Sequence, residues 1–139
     1  MIGLILAAGK GTRIYKKIGK NKCLIKVSGK SLINRIIFNL RSNHIKKIIV
    51  VTGFKKKKIT NNIINKNIKF VNNYKYNSTE MLESLMIGLK NVNDDVIISY
   101  SDIIYDKKVI KKILNLKKKN KIILPVLNNW KKIWKIKNK

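Results

Sequence analysis

The sequence predicts an α/β domain: a Rossmann-like, three-layer α/β/α arrangement on a mainly parallel sheet, with residues 1–139 forming one domain. Three observations predict it. Short apolar, β-branched runs alternate with amphipathic stretches along nearly the whole chain. No Pro/Gly/Ser-rich linker or internal repeat interrupts them, and the only proline is Pro125. The 139 residues are enough for one real core.

Each element has its own signal. "IGLILAA" (2–8) is nearly continuous in apolar residues, as a strand buried on both faces must be. "SLINRIIFNLRS" (31–42) places Leu32, Ile33, Ile36, Ile37 and Leu40 on one helical face behind Ser31 as N-cap. "KKIIVVTGF" (46–54) reads as a strand ending at Gly53, "KKKKITNNIINK" as a weak polar helix, and "IKFV" (68–71) as a short strand. "NSTEMLESLMIGLKN" (77–91) reads as a helix whose Asn77 and Glu80 have capping-box spacing. "DVIISY" (95–100) is again a buried strand. "DKKVIKKILNLKKK" (106–119) gathers Val109, Ile110, Ile113, Leu114 and Leu116 on one side, and "KIILPVL" (121–127) is expected to close as a strand. Ligands of such sheets bind beyond the C-terminal strand ends, where the loop at 9–13, Gly53 and the segment 101–105 fall.

The net charge is +27. Lys, Ile and Asn make up about half the chain, and all three have codons built almost wholly of A and T. There are only three arginines, Arg13, Arg35 and Arg41, although specific phosphate and base readers favour the Arg fork. The charge is therefore read as compositional, with Lys55–Lys58 and Lys117–Lys119 on solvated helix faces and no specific nucleic acid as partner. The single Cys23 excludes a disulfide framework. The N-terminus lacks signal-peptide features, and no apolar run approaches the roughly 18–20 residues of a membrane span, so a cytoplasmic location off the membrane is expected.

"LILAAGKGTR" (4–13) carries the chemistry. A dinucleotide fingerprint would need a third glycine where Ile14 stands, and the second strand ends without an acidic residue for a ribose. "GKS" at Gly29-Lys30-Ser31 lacks the first glycine of a P-loop, since Leu24 occupies that place; Ser31 is then a helix cap. What remains is a strand, two glycines, Arg13 and a later lysine. Glycines let backbone N–H groups close around anionic oxygens, Arg13 adds a planar fork, and Lys22 adds a second charge if the loop folds back. The bland alternative is a tight turn.

Together, "LILAAGKGTR" and "NKCLIKVSGKSLI" resemble the signature of the MobA-like and sugar-phosphate nucleotidyltransferase superfamily: L-A-A-G-x-G-x-R, then P-K-x-L, then a glycine before a long helix. Leu6, Ala7, Ala8, Gly9, Gly11, Thr12, Arg13, Lys22, Leu24 and Gly29 match; Asn21 stands where the family usually has proline. "NYKYNSTEMLESLMIGL" and "ISYSDIIYD" resemble the phosphocholine and phosphonate cytidylyltransferase branch. The resemblance implies a GT-A-like fold and transfer of a nucleotidyl, foremost a cytidylyl, group from an NTP to a phosphate or phosphonate acceptor, as in making cell-surface polysaccharides or phosphonates. It implies that Leu6–Gly9, Gly11–Arg13 and Lys22 hold the nucleotide, with Arg13 and Lys22 catalytic, that Asn77, Ser78 and Thr79 face it, and that Asp102 holds Mg²⁺. An anionic acceptor needs no general base, so the lack of a catalytic His is no objection.

Members of that branch are longer, so the acceptor-binding half and a second metal-ligating aspartate are expected to be absent; a homo-oligomer is one way to complete such a site. Two further readings stay open: a weakly active or inactive nucleotide-binding remnant, and a basic nucleic-acid-associated protein. Bland roles are expected elsewhere: Asp106 as the next helix's N-cap, Asp94 and Asp95 as turn residues, Glu83 on an exposed helix face and His44 at the surface. Trp130 and Trp134 either pack the C-terminal segment or wall a trimethylammonium group. Asp102 has a plain turn, and Ser78 and Thr79 a helix start, as their alternatives.

Overall fold

A computed structural model of the protein describes residues 1–64, 67–116 and 121–131. Among these residues four parallel strands form the central sheet: β1 (Ile2–Ala7), β4 (Lys47–Thr52), β5 (Lys69–Asn72) and β6 (Val96–Tyr100), in the order β5-β4-β1-β6. β1 is central, pairing Gly3 with Ile48 on one side and with Ile97 on the other. Its near-total burial explains the absence of polar alternation in its sequence. A two-stranded antiparallel hairpin, β2 (Lys26–Val27) and β3 (Lys30–Ser31), lies apart.

Among the described residues five α-helices flank the sheet: α1 (Thr12–Ile18), α2 (Leu32–Arg41), α3 (Lys56–Asn62), α4 (Met81–Leu89) and α5 (Lys107–Asn115). One face of the sheet packs Ile5, Ala7, Ile48 and Val50 against Ile33, Ile36, Ile37 and Leu40 of α2, Ile59 of α3 and Ile110 of α5. The other packs Leu4, Leu6, Ile49 and Val51 against Leu85 and Leu89 of α4. The three layers are therefore unequal. Ile98 and Tyr100 of β6 stay 48% and 45% exposed. α4 approaches the sheet closely at Gly88, where a Cβ would lie 2.7 Å from both Leu4 Cδ1 and Val51 Cγ2.

Several expectations need correction. The helix expected over 77–91 begins only at Met81, with Glu80 at the N-cap and no side-chain cap bond, so the Asn77–Glu80 capping box does not form. The buried Asn73 is the reason. Its Nδ2 donates to Thr79 Oγ1 and Ser84 Oγ, both at 3.0 Å, and its Oδ1 accepts from Lys75 N at 2.9 Å. These bonds hold 73–79 as a turn. Residues 121–127 do not form the expected strand; Ile122 and Leu124 are 99% and 79% exposed. An apolar run without a neighbouring ladder has no reason to be extended, and Pro125 removes one donor. Ser31 occupies the N-cap of α2 but makes no cap bond; its Oγ accepts from Asn34 Nδ2 at 2.8 Å. Asp106 does cap α5, accepting from Lys108 N at 2.7 Å. Asp94 does more than turn the chain, pairing with the N-terminal amine at 2.6 Å. α1, the hairpin and a 3-10 turn at Lys22–Leu24 carried no recognised sequence signal. His44 and Glu83 are exposed as expected, whereas Lys117–Lys119 and Trp134 lie outside the described residues.

Candidate functional site

The C-terminal ends of β1 and β6 converge on one cleft of about 340 Å³, with the end of β4 bonded beside them. Backbone bonds stitch these ends together. Ala8 O accepts from Phe54 N at 2.9 Å, and Leu6 O accepts from Ser101 N at 3.1 Å. Gly53 sits where no side chain fits: a Cβ there would lie 2.7 Å from Ala8 O and 2.7 Å from Tyr76 Cβ. The chain leaves β1 as Ala8-Gly9-Lys10-Gly11. The amides of Gly9, Lys10 and Gly11 donate to no acceptor among the described residues. Gly11 takes φ 58°, a left-handed conformation that glycine adopts at least cost, and turns the chain into α1.

Lys22 folds back to this loop through the 3-10 turn. A Cβ on Gly11 would meet Lys22 Cβ at 3.5 Å, so the lysine stem runs beside the glycines. Its ammonium pairs with the Asp102 carboxylate, one turn beyond the end of β6. Both side chains are partly solvent-exposed, so the pair is accessible from the cleft. Behind them Cys23 is buried, and burial pushes its thiol up to about 12. Asn21, only 3% exposed, donates from Nδ2 to Phe54 O at 3.0 Å. Tyr15 and Phe54 meet edge to face at 5.0 Å, and Phe54 lies 6.0 Å from Tyr76. Lys55 stands over Tyr15 and donates to its hydroxyl, which holds that phenol below its ordinary pKa.

The cleft wall includes Leu6, Ala7, Ala8, Gly9, Gly11, Lys22, Thr79 and Asp102 of the residues singled out from sequence. It does not include Thr12, Arg13, Asn77 or Ser78. Thr12 and Arg13 are exposed on α1; Asn77 and Ser78 are exposed on the turn before α4. The Thr79 hydroxyl is engaged internally, donating to Lys75 O at 2.8 Å. The structure adds wall residues that sequence reasoning passed over, notably Asn21, Tyr76, Glu80, Ser84 and Tyr100. Tyr76 was within reach, as an aromatic inside the distinctive stretch 73–89. Among the described residues, no three His, Cys, Asp or Glu side chains gather as a metal cluster. A larger concavity of about 460 Å³, between β5 and the far flank of α4, includes Glu83 but none of the free glycine-loop amides. Among the described residues no helix is long and apolar enough to cross a membrane.

Known proteins resemble the chain in sequence and in fold. The MobA-like NTP transferase domain matches residues 3–132. The chain is 32% identical over 142 residues to the CTP:phosphoglutamine cytidylyltransferase of Campylobacter jejuni, covering 96% of this chain and 55% of that protein. It is 34% identical over 127 residues to the bifunctional protein GlmU of Buchnera aphidicola, covering 89% of this chain and 27% of that protein. The chain thus spans about half, or less, of these curated relatives. Among solved structures, a nucleotidyl transferase from Methanothermobacter thermautotroptrophicus superposes with a TM-score of 0.70 at 20% identity, covering 82% of this chain and 56% of that one. The CTP:phosphocholine cytidylyltransferase of Streptococcus pneumoniae superposes with a TM-score of 0.64 at 25% identity, covering 77% and 50%.

Proposed function

The chain belongs to the MobA-like NTP transferase family, and on that premise we propose that the cleft is a nucleotidyl-transfer site for an NTP, CTP foremost, and an anionic phosphate or phosphonate acceptor. The observation that carries the proposal is the juxtaposition of free loop amides at Gly9–Gly11 with the Lys22–Asp102 pair at the ligand end of the sheet. CTP is favoured because the Campylobacter and Streptococcus proteins are both named for it.

The residues suit the reaction. A triphosphate carries about four negative charges, so catalysis is largely neutralisation and alignment. The Gly9–Gly11 amides would donate to phosphate oxygens, and the Lys22 ammonium would lie against the reacting α-phosphate. Arg13, on the exposed face of α1, is a candidate for the outer phosphates. Tyr76 and Thr79 border the side of the cleft left for the nucleoside; Asn77 and Ser78 stand just outside it. An acceptor oxygen attacks the α-phosphorus, the bond to the β-phosphate oxygen breaks, and pyrophosphate leaves with that electron pair. No proton has to be removed from an acceptor that is already an anion.

Asp102 fits Mg²⁺ in kind, since this ion is commonly held by one or two carboxylates plus substrate phosphates and water. Bound there, the ion would neutralise charge developing on the phosphate oxygens. Lys22 is Asp102's counter-charge before substrate arrives, which holds the carboxylate beside the glycine loop in the cleft wall.

The testing experiment is pyrophosphate release across the four NTPs, each with phosphocholine, 2-aminoethylphosphonate, phosphoglutamine and sugar 1-phosphates. Release above background with one NTP–acceptor pair supports the proposal; no release and no NTP binding refutes it. The absence of a three-ligand cluster among the described residues favours a second reading, nucleotide binding with slow turnover. NTP binding without release would select it.

A further inference from the structure

Asn21 has a buried side chain in the cleft wall that is only half used. Its Nδ2 donates to Phe54 O at 3.0 Å, while its Oδ1 is buried with no partner. An unpaired buried acceptor is a standing cost, so stability alone does not explain this residue. Its bonds run toward the site. Asn21 O accepts from Leu24 N at 2.9 Å and so opens the 3-10 turn that carries Lys22. Phe54, which receives the side chain, donates its own N–H to Ala8 O at the root of the glycine loop. The carboxamide is thus the side-chain tie between the turn bearing Lys22 and the strand ends that frame the cleft.

We propose that Asn21 is a positioning residue for Lys22: by tying the 3-10 turn to Phe54 it holds the Lys22 ammonium between Asp102 and the glycine loop. The proposal rests on the phosphate-binding reading of that loop. The backbone at Asn21 has φ −60° and ψ 135°, and its N–H donates to no acceptor among the described residues. Proline takes this conformation unaided and gives up nothing by lacking the N–H. A proline at 21 should therefore fix the turn through the backbone where asparagine fixes it through the side chain, and an alanine should do neither.

Cys23 lies in the same turn, buried and 4% exposed, so its accessibility reports on the turn without any nucleotide. The experiment compares Asn21→Ala and Asn21→Pro, each alone and with Lys22→Ala, for iodoacetamide alkylation of Cys23 in buffer and for CTP affinity with Mg²⁺. Asn21→Ala is expected to speed alkylation at least tenfold and to weaken CTP binding about tenfold. In the Lys22→Ala background the same change should alter CTP affinity less than twofold, because a residue acting through Lys22 has nothing left to position. Asn21→Pro should restore both readouts to near wild type. Unchanged alkylation in Asn21→Ala overturns the proposal, as does an undiminished CTP effect without Lys22. Should Asn21→Ala fail to fold, Asn21→Pro carries the test by itself: near wild-type alkylation and CTP affinity are expected of it, and faster alkylation in that variant overturns the proposal. If the wild-type protein binds no CTP, the phosphate reading falls, while the alkylation result still decides whether Asn21 holds the turn.

Discussion

Gly53→Ala tests how the fold builds the cleft. The added methyl would meet Ala8 O and Tyr76 Cβ, both at 2.7 Å, where ordinary contact begins near 3.4 Å. Each neighbour would have to give by about 0.7 Å. Ala8 O cannot do so alone, because it accepts from Phe54 N at 2.9 Å and belongs to the backbone that starts the glycine loop. Overpacking of this kind costs about 1–3 kcal/mol, and weakening the Ala8–Phe54 bond adds about 0.5–1.5 kcal/mol. For a chain of this size the melting temperature should fall by roughly 5–15 °C. Displacing the loop by a large fraction of an ångström should also slow pyrophosphate release about ten- to a hundredfold. Gly29→Ala is the control. Gly29 has φ 76° with open space around it, so alanine there costs only backbone strain of about 1–2 kcal/mol, away from the cleft. Thermal melts and pyrophosphate release on both variants decide the matter. If Gly53→Ala matches Gly29→Ala in both measurements, the cleft is not set by the contact of Gly53 with Ala8 and Tyr76.

Lys22→Ala should weaken NTP binding about 10- to 150-fold, the equivalent of roughly 1.5–3 kcal/mol for a charged hydrogen bond, and Arg13→Ala by less, since Arg13 lies outside the cleft wall; isothermal titration ranks the two. Asp102→Asn should abolish any gain in NTP affinity from Mg²⁺, measured by titration with and without the metal; a full Mg²⁺ effect in that variant removes Asp102 from the metal's ligands. Burial holds the folded Cys23 thiol at about 12, against about 8.5 in an unfolded chain, so alkylation at pH 8 should run about a thousandfold slower than for a free thiol. Because the folded value is the higher one, the thiol's contribution to stability is complete below about pH 8.5 and is lost as pH rises toward 12, which melts of wild type and Cys23→Ala across pH 8–10 should show. DNA binding should be weak, indifferent to sequence and steeply salt-dependent, with fluorescence anisotropy at rising salt as the check; a tight complex with one particular sequence at physiological salt would refute the compositional reading of the charge.

The parts of the fold legible in the sequence are those where one physical demand dominates. β1 and β4 are buried on both faces and β6 on most of one, and each reads as a largely apolar run. α2 shows its apolar stripe because a whole core leans on it. The turn at 73–79 was illegible because its organiser, Asn73, is a polar residue that works only once Thr79 and Ser84 are placed around it. α1 was illegible because none of its residues is buried, so no periodic stripe marks it. The segment 121–127 misled for the opposite reason: its apolar run satisfies the local rule for a strand and finds no ladder. In the cleft, Gly9, Gly11 and Lys22 could be found from spacing, and Asp102 through the family resemblance of its stretch. Asn21, Tyr76 and Glu80 reach the wall through turns whose geometry the sequence does not spell out.

The charge distribution bears on how such a cleft would work. All six acidic residues lie within 80–106, where Lys90 is the only cation, so the remaining segments of a +27 chain hold none. Three of the six have partners that account for them: Asp94 with the N-terminal amine, Asp106 with the first turn of α5, and Asp102 with Lys22. A field this positive opposes the binding of a bare divalent cation and favours the approach of a polyanion. The glycine loop and Lys22 extend that field into the cleft, and Asp102 is the wall carboxylate paired directly with Lys22. The order of events follows from electrostatics. A nucleotide that brings its own metal, already neutralised by its phosphates, meets a surface that attracts its remaining charge, whereas the metal alone meets repulsion. For the proposed reaction one carboxylate would then suffice to hold the ion in place, because its task would be to orient an ion the nucleotide already holds rather than to capture it from water.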